Sequence, residues 1–137
     1  MEKQCDAFAR ANPDMRLATL RPHWVIPDTL AYDPEALHAA GGTAKDLWGW
    51  VSLSAVARAF VLGLTAPETT FPLGHETFFL VAPTIALQTS SMEMLAKTFP
   101  EAKTFTREIK GNDGFYDCSK AERMLGWTER AFPWSPK

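Results

Sequence analysis

Apolar and polar positions alternate along the chain between helical and extended spacings. Residues 1–12 carry one apolar helical face and Pro13 ends that helix, whereas 16–21 and 77–82 have the apolar patterns of strands. Between these two strands, a long amphipathic helix is predicted over 54–64. Its apolar positions follow the spacing i, i+3, i+4, i+7, i+8 and i+11, and are Leu53, Val56, Ala57, Phe60, Val61 and Leu64.

Capping and turn residues delimit three further helices. One begins at the acidic cap Asp33, followed by Pro34, and ends at Gly41-Gly42. The two others begin at Ser-x-x-Glu capping boxes, in which both side chains satisfy backbone amides. These boxes are Ser90 with Glu93, and Ser119 with Glu122. Residues 103–109 are interpreted as one more strand.

Strands that alternate with helices predict an α/β fold with parallel strand pairing. The helix over 54–64 would be the right-handed crossover between the strands at 16–21 and 77–82. The length of 137 residues fits a single domain, 1–137, with a core of its own. Of the tryptophans, we expect Trp50 and Trp127 to anchor that core.

Charge and cysteine content exclude several classes of protein. Fourteen basic and sixteen acidic residues give a net charge of −2, which argues against a nucleic-acid partner bound through charge. The two cysteines, Cys5 and Cys118, have no framework spacing and are expected to be free thiols in a reducing compartment. No apolar run approaches twenty residues and the first residues do not resemble a signal peptide, so we expect a cytoplasmic protein without a membrane partner.

Three segments carry motifs that point to a family. They are Leu20-Arg21-Pro22-His23-Trp24-Val25, Trp50-Val51-Ser52-Leu53-Ser54-Ala55-Val56-Ala57-Arg58-Ala59, and Asp117-Cys118-Ser119-Lys120-Ala121 followed by Leu125-Gly126-Trp127. Together they resemble the C-terminal portion of an extended short-chain dehydrogenase/reductase of the NAD-dependent epimerase/dehydratase family. The resemblance implies a truncated Rossmann-like fold with a small, mostly parallel sheet. It also implies the half of the protein that binds the substrate, a nucleotide sugar or a related ligand.

The half of that family which binds NAD or NADP has no counterpart in this sequence. A dinucleotide site needs a glycine-rich turn that opens a helix, and the pair Gly111 and Gly114 lacks both the third glycine and the helix. We therefore expect no cofactor for this chain alone. Tyr116 and Lys120 match the family's catalytic Y-x-x-x-K literally, but Asp117 and Ser119 are helix-start residues, which places Tyr116 before the helix. No catalytic residue is assigned, and enzymatic activity stays open.

Substrate contacts are assigned to Arg107, His23 and Trp24. Arg107 stands ten residues before Asp117, where the resemblance implies an arginine on the substrate diphosphate; the alternative is an exposed strand residue paired with a neighbouring glutamate. His23 resembles a position beside the nicotinamide, and its alternative is a partly buried loop histidine. Trp24 follows it, where family members often carry asparagine. The three histidines lack the spacing of metal ligands, so no metal is expected.

Two functions remain open at this point. The first is a substrate-binding half that binds or acts on a nucleotide sugar and is not catalytic alone. The second is a non-catalytic α/β module derived from the same family that binds a protein partner. In a full-length relative, the strand at 16–21 would be flanked by the sheet of the missing half. Without that half the strand has a free edge, and a second copy of the chain could cover it. We therefore expect a homodimer with 1–12 and 16–21 at or near the interface.

Overall fold

The computed structural model describes residues 2–133 of the chain, which form helices joined to two small sheets. The helices are α1 (Glu2–Ala11), α2 (Asp28–Ala31), α3 (Pro34–Ala40), α4 (Leu53–Thr65), α5 (Ser91–Thr98) and α6 (Ser119–Leu125), with a 3-10 turn at Ala44–Asp46. The strands are β1 (Arg16–Pro22), β2 (Val25–Ile26), β3 (Val51–Ser52) and β4 (Gly74–Leu80). The fold is therefore mixed α/β, as predicted.

Both sheets are parallel. β1 pairs with β4 from Arg16 opposite Gly74 to Pro22 opposite Leu80, which confirms the predicted pairing of these two segments. Beyond the ends of these strands, Val25 and Ile26 of β2 pair with β3. The long connection between β1 and β4 contains α4, as expected for a parallel crossover. No helix within residues 2–133 is long and apolar enough to span a membrane.

Two buried clusters hold these elements together, and each contains one of the predicted tryptophan anchors. Trp127 is 1% exposed and lies in a cluster with Phe78 and Leu80 of β4 and with Val56 of α4. Trp50 is fully buried in a second cluster beside β2 and α3. The assignment of Trp50 and Trp127 to the core is confirmed.

Helix α4 packs against the core through the face opposite to its large apolar residues. Ala55, Val56 and Ala59 are buried, because small side chains let the helix backbone approach the sheets closely. The apolar residues on the other side, which we call the α4 stripe, are all exposed: Leu53, Ala57, Phe60, Val61 and Leu64. The amphipathic spacing thus predicted the helix correctly, but of its six apolar positions only Val56 is buried.

Two local predictions in the C-terminal third are wrong. Residues 103–109 form no strand: 101–108 are exposed, and this polar stretch offers no alternating apolar face to bury. Ser119 does not cap α6, because it is already the first helical residue; instead, Asp117 accepts a hydrogen bond from the Ser119 amide at 2.9 Å. The end of α6 is as its sequence suggests, with Gly126 left-handed at φ 70° and the Trp127 amide donating to the Ala121 carbonyl.

A polar network attaches α1 to the larger sheet. The ring of His75, 5% exposed, hydrogen bonds through Nδ1 to the Asp6 carboxylate at 2.6 Å and through Nε2 to the Thr19 hydroxyl at 2.7 Å. Glu2 of α1 also pairs with Arg21 of β1. Because buried polar groups are stabilising only when they are paired, this network fixes α1 over β1 and β4.

Candidate functional site

The candidate site lies where the carboxyl ends of β1 and β4 meet. His23 and Trp24 follow β1, and Val81 to Pro83 follow β4. The loops 41–50 and 112–116 pack against these segments; the Ala82 amide, for example, donates to the Trp50 carbonyl at 2.7 Å. Ligands of open α/β sheets bind beyond the carboxyl ends of the strands, so this is the region in which a site is expected.

Unusual backbone conformations concentrate in the same region. Trp24, Leu47 and Trp48 all have positive φ angles, of 33°, 48° and 54°, which side chains with a Cβ rarely adopt. They are the non-glycine residues with positive φ among residues 2–133. Such conformations cost of order 1–3 kcal/mol each and cluster at functional sites in proteins.

A histidine, a tyrosine and an aspartate form the polar centre of the site. The Nδ1 atom of His23 lies 3.4 Å from the Tyr116 hydroxyl and 3.5 Å from Oδ1 of Asp46. The rings of His23 and Tyr116 are 4.4 Å apart between centroids, and Phe79 packs beside both. Asp46 is held in place by the Thr43 hydroxyl, which donates to it at 2.9 Å.

Tyr116 is protonated at neutral pH. Burial raises the pKa of its phenol above the ordinary value, and the negative charge of Asp46 raises it further. Lys120, the other member of the literal Y-x-x-x-K match, pairs instead with Glu76 at 2.5 Å and lies over the Phe78 ring. Tyr116 precedes α6 as predicted, so it is available as a hydroxyl donor and lacks the partner that would make it a base.

Tyr116 also lines a pocket of about 220 Å³ beside α6. The residues that line this pocket, the α6 pocket, are Val81, Pro83, Arg107, Tyr116, Cys118, Ser119, Glu122, Trp127, Thr128 and Glu129. Sites for drug-sized ligands are usually 300–1,000 Å³, so the α6 pocket suits a smaller group such as a phosphate or a single sugar ring. Its lining combines one cation, several hydroxyls and two carboxylates.

Arg107 is held at the α6 pocket by its own loop. Its Nη2 donates to the Gly114 carbonyl at 2.6 Å, and its Nη1 lies 3.4 Å from the Asp113 carboxylate. The alternative of an exposed, ion-paired arginine holds in part: Arg107 is exposed, but it lies outside any strand and its carboxylate partner is Asp113, since Glu108 pairs with Lys110 at 3.0 Å. A guanidinium has five N–H donors, so these bonds leave donors for a ligand.

The structure brings the three predicted contact residues to one region but not into one pocket. His23 contacts Tyr116, and Tyr116 lines the α6 pocket together with Arg107. Trp24 packs against the second core cluster, and its ring lies close to Gly42. Contact of Trp24 with a ligand therefore stays a prediction.

Two residues of the site were not selected from the sequence. Tyr116 matches Y-x-x-x-K literally, but its predicted position before the helix gives it no catalytic role in the sequence. Asp46 has no motif at all and reaches His23 only through the fold of the loop 41–50. Among residues 2–133, no group of three or more histidine, cysteine or acidic side chains is arranged to hold a metal ion.

The Cys118 thiol on the pocket wall gives a testable consequence. Burial raises its pKa and the adjacent Asp117 carboxylate raises it further, although a helix start would by itself lower the pKa of a thiol. A higher pKa lowers the fraction of the reactive thiolate at a given pH. In a Cys5→Ser variant at pH 8, we expect iodoacetamide to alkylate native Cys118 more slowly than in the urea-unfolded chain.

The sign of the pH dependence follows from the same shift. A raised native pKa means that the folded state holds the thiol proton more tightly than the unfolded state. The contribution of the Cys118 thiol to the free energy of unfolding is therefore at its full value at pH values below the pKa of the unfolded thiol. It is lost as the pH rises through the higher pKa of the native thiol. Equal alkylation rates in the native and unfolded chains would show that the thiol is neither buried nor shifted.

Comparison of the chain with protein-family models, with curated proteins and with solved structures found no significant match. What points to a function is therefore the set of motifs in the sequence and the geometry of the site.

Proposed function

We propose that the chain is the substrate-binding portion of an epimerase/dehydratase-like protein and binds a sugar phosphate or the phosphorylated part of a nucleotide sugar. The observation that carries this proposal is the position of Tyr116. Its hydroxyl lies 3.4 Å from His23, and the same residue lines the α6 pocket with Arg107. Two of the three residues predicted to contact the substrate, His23 and Arg107, are thus linked through one tyrosine.

The lining of the α6 pocket has the chemistry that such a ligand requires. The fork of an arginine guanidinium matches phosphate oxygens in a bidentate manner, and the Tyr116 phenol adds a neutral donor. Glu122 can accept hydrogen bonds from sugar hydroxyls, and Val81 and Trp127 supply apolar wall. The Glu129 carboxylate is already engaged by the Ser52 amide and hydroxyl. A volume of about 220 Å³ limits the enclosed part of the ligand to the phosphate and sugar portion.

We propose binding without catalysis by this chain alone. Proton abstraction by the family's tyrosine relies on a neighbouring lysine that lowers the phenol pKa. Here the pKa of Tyr116 is raised instead, and Lys120 is paired with Glu76. A nicotinamide cofactor, where one takes part, would come from another polypeptide segment.

Titration calorimetry with UDP-glucose and with glucose 1-phosphate tests this proposal. We expect both to bind, and we expect Arg107→Ala to weaken binding by at least about tenfold, since a hydrogen bond to a charged group contributes roughly 1.5–3 kcal/mol. NAD, titrated in parallel, should not bind at micromolar concentration, because a glycine-rich phosphate turn is missing.

Arg10→Ala is the matched control for Arg107→Ala. It removes the same charge from α1, where Arg10 lines a different pocket of about 350 Å³ with Asp6 and His75. We expect this variant to bind as the parent chain does. If Arg10→Ala abolished binding and Arg107→Ala did not, the ligand would occupy the pocket beside α1 and the site assignment would be wrong.

The exposed α4 stripe favours the second candidate function, a module that binds a protein partner. Soluble monomers rarely expose large contiguous apolar patches, and such patches mark interaction surfaces. The two functions are compatible, because the α4 stripe lies on the face of α4 that points away from the cores and contributes no residue to the α6 pocket.

A further inference from the structure

The α4 stripe has the spacing of a helix-pairing seam. Leu53, Ala57, Phe60 and Leu64 follow one another at intervals of four, three and four residues, which is the spacing of the apolar positions in a coiled coil. At about 100° per residue, these positions and Val61 lie within an arc of roughly 100° on one side of α4. Leu53, Phe60, Val61 and Leu64 are 58%, 60%, 58% and 81% exposed.

The charge of α4 identifies the kind of surface that can cover the stripe. The helix contains no acidic residue and one basic residue, Arg58, whose guanidinium is engaged by the Thr128 carbonyl. A helix that lies on an anionic membrane carries several lysines or arginines on its polar face, and α4 has none beyond Arg58. An uncharged apolar seam of this kind matches another apolar protein surface.

The stripe is complementary to itself. Its spacing is the same in both directions about a point between Arg58 and Ala59, so an antiparallel copy would place Leu53 against the partner's Leu64. The bulky Phe60 would then face the partner's Ala57, a large side chain opposite a small one, which allows the two helices to approach closely. We propose that the α4 stripe is a homodimer interface in which two copies pack antiparallel about a two-fold axis.

The size of the stripe is sufficient to form the centre of such an interface. The exposed parts of its four large apolar residues amount to roughly 450 Å² on each copy, within the range of the largest patch on a typical monomer. A standard interface buries about 800 Å² on each partner, so the stripe would supply more than half of it and the residues flanking α4 the remainder. This interface is distinct from the free edge of β1 that the sequence predicted.

Sedimentation equilibrium of paired variants tests the proposal and separates the two interfaces. Phe60 on α4 and Phe8 on α1 are exposed phenylalanines of similar accessibility, 60% and 51%. The parent chain should be dimeric at 100 µM, and Phe60→Asp should raise the dissociation constant at least about 100-fold. Phe8→Asp, which alters the edge formed by α1 and β1, should leave the dimer intact. Circular dichroism checks that each variant is folded.

Disulfide trapping tests the antiparallel orientation. In a Cys5→Ser, Cys118→Ser background, a mixture of the Leu53→Cys and Leu64→Cys variants should form a mixed disulfide on mild oxidation, whereas Leu53→Cys alone should not cross-link. Three results would overturn the proposal: a monomeric parent at 100 µM, a dimer dissociated by Phe8→Asp but not by Phe60→Asp, or a monomer that binds phosphatidylserine vesicles through Phe60.

Discussion

Replacement of Trp127 by alanine is expected to lower the free energy of unfolding by about 3–5 kcal/mol, the range for truncating a buried large aromatic side chain. Trp127 is 1% exposed and packs in the cluster that joins α4, α6 and β4. Its indole N–H donates to the Ala55 carbonyl at 2.8 Å, which fixes the segment after α6 against α4. The substitution removes both the packing and the hydrogen bond, and it also removes a wall of the α6 pocket.

Urea denaturation followed by circular dichroism measures this loss, and Trp127→Phe is its control. The phenylalanine retains most of the apolar volume but cannot donate to Ala55, so we expect a smaller loss of about 1–2 kcal/mol. A Trp127→Ala variant less than about 1 kcal/mol below the parent would mean that Trp127 does not anchor this core.

The second large effect is expected at Gly49, in the tight loop behind the site. An added Cβ would lie 2.9 Å from Cγ1 of Val81 and 3.1 Å from Cε2 of Tyr116 and from the Asp46 carbonyl oxygen. Gly49 is buried, and overpacking at such positions costs about 1–3 kcal/mol. Because Val81 and Tyr116 both line the α6 pocket, Gly49→Ala should also weaken sugar-phosphate binding by about tenfold or more, as measured by calorimetry.

Gly63→Ala separates this steric effect from the general effect of replacing a glycine. Gly63 lies within α4, and the nearest atom to an added Cβ is the Cβ of Ala18, at the ordinary contact distance of 3.7 Å. Alanine is the better helix former, so this substitution should raise the free energy of unfolding by about 0.5–1 kcal/mol. If Gly49→Ala were equally harmless, the loop would not be tightly packed against Val81 and Tyr116.

Much of the secondary structure could be predicted because local signals agreed with the tertiary contacts. Asp33 caps α3 by accepting from the Glu35 and Ala36 amides at 3.1 and 3.0 Å, as its position before Pro34 indicated. Ser90 likewise accepts from the Glu93 amide at the start of α5. The parallel pairing of β1 with β4 followed from two apolar segments separated by a helix.

Other features depended on contacts that no local pattern encodes. The apolar spacing correctly predicted that α4 is a helix. The sequence could not show that the face with small side chains, which includes Ala55 and Ala59, would be the buried one. The two-residue strand β2 is too short to have a period. The cluster of His23, Asp46 and Tyr116 joins positions 23 to 93 residues apart, so only the folded loops bring it together.

A phosphorylated sugar should bind beside Tyr116, between α6 and the carboxyl ends of the strands. Changes in the amide and indole NMR shifts on addition of UDP-glucose would locate this binding site. We expect perturbations at His23, at 81–83, at Arg107, at 114–119 and at the Trp127 indole, and we expect them to be lost in Arg107→Ala. Perturbations confined to the pocket of Asp6, Arg10 and His75, or none at millimolar ligand, would contradict it.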